Sequence, residues 1–222
     1  MEITYLGYAS FSLKNKKGMV ILINPFDPDF VGLKMGKQKA DVILVSEDNK
    51  GHNYVKSVTA PVKREKTFVI DSPGEYEVGG IEISMIEING EKEEKERSKT
   101  MVIVVRVDGL TVCHLGNLKK MPREEAKKRV GTVDVLLTSV GKEGCLSVSE
   151  RGGLMKELSP SMVIPMEYKM SGLKEGVGSL PALEEFLEKN NMKVAENGVD
   201  KIKIDKNKLP EDMQVVVLNV EN

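Results

Sequence analysis

The residues best equipped for chemistry stand in one short stretch, Asp-Val-Ile-Leu-Val-Ser-Glu-Asp-Asn-Lys-Gly-His-Asn, from Asp41 to Asn53. An apolar run, Val42 to Val45, reads as a buried strand and passes directly into Ser46, Glu47, Asp48, Asn49, Lys50, Gly51 and His52. Carboxylate and amide oxygens beside an imidazole are the donor types that hold a cation, and a lone histidine can also serve as a base. On its own, His52 reads as a hydrogen-bonded structural residue at the start of a helix more readily than as a ligand or a base. The second histidine, His114, follows Cys113. That pair does not make a nucleophile and its base, because neighbouring strand residues project to opposite faces. Gly79-Gly80 and Gly152-Gly153 lack the spacing of a phosphate-binding loop and read as turn chemistry.

Several further segments are specific in combination: MEITYLGYASFSL at the start, Ile21 to Phe26 (ILINPF), Ser72 to Gly80 (SPGEYEVGG), Cys113 to Leu118 (CHLGNL), Val133 to Gly141, and Ile164 to Tyr168 (IPMEY). Together with the 41–53 loop they resemble the metallo-β-lactamase-fold superfamily, in its ascorbate-phosphate-lactonase-like, hypothetical Zn-dependent hydrolase branch. The resemblance implies an α/β (α+β) chain folded as a four-layer αβ/βα sandwich, with one such domain over 1–222 and a site where loops of both halves meet at one edge. The family's Thr-His-x-His-x-Asp-His motif falls on Ser46 to His52. Glu47 and Asn49 then stand at its first two histidines, Gly51 at its aspartate, and His52 alone is retained. Asn117 stands at the bridging aspartate and Glu167 at the late histidine. Tyr8 and Asn24 replace a histidine and an aspartate of the flanking segments.

A dinuclear site of that kind uses imidazoles and a bridging carboxylate to generate hydroxide at neutral pH. Glycine offers no side chain and asparagine only a neutral oxygen, so no metal is expected here. Glu47, His52 and Glu167 are the remaining candidate ligands. The alternative is one divalent cation, Mg²⁺, Mn²⁺ or Zn²⁺, in an oxygen-rich site formed by Glu47, Asn49, Asn117 and Glu167. Two carboxylates in a closed cleft call for a positive charge. Lys50 and Lys169 are the candidate cleft cations and His52 a third; Lys142, like Lys169, reads as solvated or as lining an anion-taking cleft. The expected function is that of a non-catalytic relative whose cleft takes a small-molecule ligand or a partner. The other readings are a single-metal hydrolase of a lactone, ester or phosphate-bearing metabolite, and a subunit of a homo-oligomer. Whether the chain is an enzyme stays open here.

Composition fits without deciding. The chain has 222 residues, 40% hydrophobic and 30% charged, with a net charge of −1, so no overall field favours nucleic acid or an anionic membrane. No run approaches the roughly 18 apolar residues of a membrane span, and no basic-then-apolar leader precedes the first strand. The two cysteines lie in different segments, which suits a reduced, cytoplasmic protein. The 12 methionines read as core filler.

The elements that must position these residues are mostly short strands: Ile3–Leu6, Ala9–Leu13, Met19–Ile23, Val42–Val45, Thr67–Ile70, Ile81–Ile86, Met101–Val107, Leu110–His114, and near the end Lys201–Ile204 and Gln214–Val220. An Asp108-Gly109 turn joins two of them. Helical spacing appears at Pro122–Val130, at Ser147–Leu158 behind a serine cap, and at Pro181–Lys189. The mixed-charge EKEEKERSK run, 91–99, reads as a solvated hairpin loop, and the Pro73-Gly74-Glu75-Tyr76-Glu77 segment as a fixed turn with a buried tyrosine.

Overall fold

The structure, a computed structural model, describes residues 1–88 and 100–221, so the charged 91–99 run lies outside the described residues. In chain order the first part gives β1 (Glu2–Gly7), β2 (Ser10–Lys14), β3 (Val20–Ile23), the single turn α1 (Pro28–Val31), β4 (Gln38–Lys39), β5 (Val42–Leu44), β6 (Val58–Thr59) and β7 (Phe68–Ile70). Then follow β8 (Gly74–Val78), β9 (Ile81–Glu87), β10 (Met101–Val107), β11 (Leu110–His114), α2 (Glu124–Val130), β12 (Val135–Ser139), α3 (Val148–Leu158) and β13 (Met162–Met166). The chain ends with α4 (Leu183–Lys189), β14 (Val194–Val199), β15 (Lys201–Lys203) and β16 (Gln214–Leu218).

These strands form a six-stranded sheet, β15-β1-β2-β3-β5-β7, an eight-stranded sheet, β14-β16-β13-β12-β11-β10-β9-β8, and a small β4-β6 ladder. Residues alternate between the two faces of a strand, and the core obeys that parity. Ile3, Tyr5, Phe11, Leu13, Ile21, Ile23, Val42 and Leu44 of the first sheet join Ile103, Val105, Val112, Val135, Leu137, Ile164 and Met166 of the second in one central cluster. The intervening residues Val102, Val104, Cys113, Leu136 and Val163 face outward, where Val130 of α2, Leu154 and Met155 of α3 and Phe186 of α4 cover them. Each such side chain taken fully out of water contributes about 1.5–3 kcal/mol. Cys113 and His114 accordingly belong to opposite faces, as strand geometry requires.

Helices α2, α3 and α4 gather on the outer face of the second sheet. The outer face of the first, with Leu6, Leu22 and Ile43, is covered instead by short connecting pieces that carry Met35, Val55 and, from β6, Val58. The connection between Val45 and Phe68 carries Gly51, Pro61 and a polar majority, which cannot sustain an apolar helical stripe. His52 therefore sits in a turn rather than at a helix start. Two further expectations change. Gly74–Val78 is a strand with a half-buried Tyr76, not a fixed turn around a buried one; every second residue faces water on a sheet edge. Gly152 and Gly153 lie inside α3 rather than in a turn. A β-carbon on Gly152 would stand 1.7 Å from Asn190 Oδ1, so the missing side chain admits the end of α4. Both cysteines are free, and no described helix is long and apolar enough to cross a membrane.

Candidate functional site

Parallel pairing fixes where the polar residues meet. β3 runs parallel to β5, and β11, β12 and β13 run parallel to one another, so their C-terminal ends share an edge of the sandwich. Asn24 follows β3, Glu47 closely follows β5, Asn117 follows β11, Lys142 follows β12 and Glu167 follows β13. Tyr8 joins them from the β1–β2 turn, and its carbonyl accepts the Glu167 backbone N–H at 3.0 Å. Tyr8, Asn24 and Glu167 all hold left-handed backbone, with φ of 54°, 50° and 51°, an uncommon conformation for residues other than glycine that concentrates at functional sites.

Four of the expected positions come together. The Asn117 amide donates to Glu47 Oε2 at 3.4 Å and to His52 Nε2 at 3.2 Å. His52 Nε2 lies 3.9 Å from Glu167 Oε1. On the other side of the ring, Nδ1–H donates to Asn49 Oδ1 at 2.8 Å, which assigns the proton to Nδ1 and leaves a lone pair on Nε2. Asn49 also accepts the Gly51 N–H at 2.8 Å; it is exposed, and it orients His52 from outside the cluster. Burial holds the His52 imidazole down to about 3, so it is neutral. A second polar chain runs behind it. Ser46 N–H donates to Asn24 Oδ1, and Asn24 Nδ2 to Ser46 Oγ. His114 accepts from Gly116 N–H through Nδ1 and donates through Nε2 to the Ala9 carbonyl at 3.0 Å. Burial lowers His114 to about 4.

Glu167 is the costly residue. It is 0% exposed, and neither carboxylate oxygen meets hydrogen-bond geometry with a partner among the described residues. Burial raises its pKa. Lys142 and Arg151 act against that rise by charge, and the Asn117 and Tyr8 side chains, close enough to favour the ionised form, add to them. The Lys142 ammonium donates to the Tyr8 hydroxyl at 3.0 Å. Burial and the nearby Glu167 charge push Tyr8 far above the ordinary tyrosine range. Arg151, on α3 and wholly buried, donates to the carbonyls of Leu146 and Leu118 and leaves Nη1 without a partner among the described residues. The cations beside the cluster are thus Lys142 and Arg151, not Lys50 and Lys169, which are both exposed. Lys50 is carried outward on its turn, and Lys169 lies beyond the strand end that aims Glu167 inward. Arg151 had a legible signal: with Val148, Leu154, Met155 and Leu158 it lies on the apolar stripe of α3. Lys142 had only its place after a strand of the same edge.

Gly51 explains how the cluster closes. A β-carbon there would stand 2.7 Å from Tyr8 Cε1, inside the tyrosine ring's own contact radius. The Tyr8 ring, with its centroid 5.5 Å from that of His52, therefore occupies the space a side chain at position 51 would need. Among the described residues, no group of three or more His, Cys, Asp or Glu side chains is arranged to hold a metal ion. The His52 lone pair and a Glu47 oxygen already accept from the Asn117 amide, and an ammonium stands close by. This donor set does not fit two divalent ions.

A family model for a β-lactamase superfamily domain matches residues 2–167. A UPF0173 protein of Pyrococcus furiosus is 30% identical over 181 residues, covering 76% of this chain and 83% of the relative. A UPF0173 metal-dependent hydrolase of Thermoplasma acidophilum is 26% identical over 189 residues, with 76% and 83% covered. A solved Thermotoga maritima structure, described as a Zn-dependent hydrolase of the metallo-β-lactamase superfamily, aligns with a TM-score of 0.78 at 29% identity over 99% of both chains. Two facing sheets with their polar loops at one edge, and a family match spanning most of the sequence, agree: the chain belongs to the β-lactamase superfamily, with the metallo-β-lactamase fold.

Proposed function

We propose that this chain is a non-catalytic member of its family, whose metal-site edge has become a closed polar core and whose role is to bind a small molecule or a partner. The observation that carries the reading is the Tyr8 ring filling the side-chain space of position 51, with its hydroxyl bound by Lys142. In the family a metal pair supplies a hydroxide nucleophile and polarises the scissile bond. In this chain Tyr8 excludes water from the cluster, Lys142 and Arg151 offset the charge of Glu167, and Asn117 ties Glu47 to His52. None of these groups generates a nucleophile at neutral pH: His52 spends its Nδ1 proton on Asn49 and its lone pair on Asn117.

A second reading has one specific support. Relatives are named metal-dependent hydrolases, and Glu47, His52 and Glu167 face one another around Asn117. One hard cation at that point, displacing the Asn117 amide, would make a hydrolase of a lactone, ester or phosphate-bearing metabolite. The test is metal analysis of untagged protein grown with Zn²⁺ and Mn²⁺, with lactone, ester and phosphodiester hydrolysis measured alongside. Metal well below one ion per chain and hydrolysis at background support the first reading. Stoichiometric metal, with turnover that disappears in Glu47→Ala or Glu167→Ala, establishes the second.

A further inference from the structure

A groove of about 720 Å³ opens at the end of the sandwich away from the polar cluster. Met162, the first residue of β13, lines it, whereas Glu167 follows the last residue of the same strand. At about 3.3 Å per residue the two lie roughly 17 Å apart, so the groove is separate from the edge described above.

Its chemistry is two-part. Met1, Met162 and Ile204 form a floor that is itself part of the buried core, with Ile202 and Leu209 beside it. Lys14, Lys16, Lys203 and Lys208 line the same groove and are all exposed. None of these four ammonium groups has a carboxylate within 4.0 Å among the described residues. The acidic residues of the lining are largely engaged. Glu2 pairs with Lys201 at 3.3 Å, and Asp205 caps its own turn by accepting from Asn207 N–H at 3.1 Å. The amino terminus is likewise tied, to the Ile204 carbonyl at 3.0 Å and to Asp108 at 3.4 Å. Asp205 keeps its charge, held down by the Asn207 N–H and in part by Lys16 and Lys208. Glu2 stands cross-strand from Lys14 and Lys203. With Glu196, three carboxylates thus face four lysines, Lys201 and the amino terminus, and the lining stays net positive. The volume lies within the range of roughly 300–1,000 Å³ of small-molecule sites, and an apolar floor under a more heavily charged rim than such sites usually carry points to a charged ligand.

We propose that this groove binds an amphiphilic organic anion, its apolar body lying on Met1, Met162 and Ile204 and its carboxylate or phosphate head among the four lysines. Ammonium groups without a close ion pair above apolar surface match such a ligand on both counts: the body removes apolar area from water, and the head meets a local excess of positive charge. A purely apolar ligand would leave the lysines unmatched, and a bare phosphate would leave the floor uncovered.

Octanoate, 1-octanol and inorganic phosphate separate these contributions, titrated into the full chain and followed by amide chemical shifts. Octanoate is expected to saturate one site, shifting residues of β1, β13 and β15, with 1-octanol and phosphate each at least tenfold weaker. Lys14→Glu with Lys203→Glu is expected to weaken octanoate at least tenfold. Should that double variant fail to fold, Lys208→Glu, in an exposed turn, carries the same comparison with a threefold loss or more. The proposal is overturned by absence of saturable octanoate shifts at these strands. Equal binding of 1-octanol, or an affinity indifferent to charge reversal, overturns it as well. The metal and hydrolysis measurements at the other edge do not bear on this outcome.

Discussion

Placing a methyl group at position 51 tests the closed site most directly. In Gly51→Ala the new carbon would stand 2.7 Å from Tyr8 Cε1, 3.5 Å from Tyr8 Cδ1 and 3.2 Å from Asn49 Oδ1. Neither neighbour yields easily. Tyr8 is 1% exposed and its hydroxyl is held by Lys142, while Asn49 Oδ1 accepts from both Gly51 and His52 at 2.8 Å. Overpacking of this kind costs about 1–3 kcal/mol. Gly51 has no positive φ, so alanine also gains about 0.4–1 kcal/mol by restricting the unfolded chain. The net loss is therefore about 0–2.6 kcal/mol. Removing the ring removes the harder of the two contacts. Tyr8→Ala costs about 3–5 kcal/mol by itself, as large aromatic truncations do, but in its background Gly51→Ala keeps only the 3.2 Å approach to Asn49 Oδ1 and should cost clearly less. The coupling between the two changes is then up to about 3 kcal/mol. Urea unfolding of wild type, both single variants and the double variant measures it, with m values checked for two-state behaviour. A cost of Gly51→Ala that is the same in both backgrounds, within about 0.5 kcal/mol, would refute the interlock.

Other outcomes follow from the same geometry. The neutral His52 and His114 imidazoles have folded values of about 3 and 4, below the unfolded value near 6.5. The unfolded state therefore binds protons first, and stability falls as pH drops below about 6.5, by about 2 kcal/mol per histidine at pH 5. Glu167, raised in the fold, takes up its proton early and offsets part of that loss, so Glu167→Gln should steepen the acid decline in urea midpoints. Lys142→Met removes a charge that favours the buried Glu167 carboxylate and should lower stability at pH 7 by about 1–3 kcal/mol. Adding Glu167→Gln should recover most of it, and failure to do so in thermal melts would detach Lys142 from Glu167. A chain carrying Glu47→His, Asn49→His, Gly51→Asp, Asn117→Asp and Glu167→His should bind Zn²⁺ poorly while Tyr8 stays, and take it up once Tyr8→His is added. Equal uptake by both chains, measured as bound metal per folded protein, would show that the ring is no obstacle.

The strands of the six-stranded sheet, and β9, β10, β11 and β16 of the other, were legible as apolar alternations or runs. β12 and β13 were not read from the residues: they are short and buried on both sides, a pattern that period alone cannot assign, and only the resemblance segments Val133 to Gly141 and Ile164 to Tyr168 pointed to them. β8 and β14 escaped because edge strands carry charged residues, such as Glu75, Glu77 and Glu196, that break the alternation. Gly152 misled because its reason is Asn190, a residue distant in sequence. For the site, the family resemblance named positions that parallel strands do bring together, Glu47, His52, Asn117 and Glu167. It could not say which cation faces Glu167, since Lys169 is nearer along the chain and Lys142 nearer in space. Arg151 was readable as a charge on an apolar helical stripe, a pattern that calls for a buried acid.

The fit of Tyr8 against Gly51 also bears on what substitution one position at a time can do. A side chain introduced at position 51 meets the Tyr8 ring, and a smaller residue introduced at position 8 leaves a hole beside a glycine that has nothing to fill it. Each change alone is therefore harmful or idle, and only the two together could refill the space with a different pair. Steric exclusion thus makes the two positions a single unit of variation, although they stand 43 positions apart in the chain.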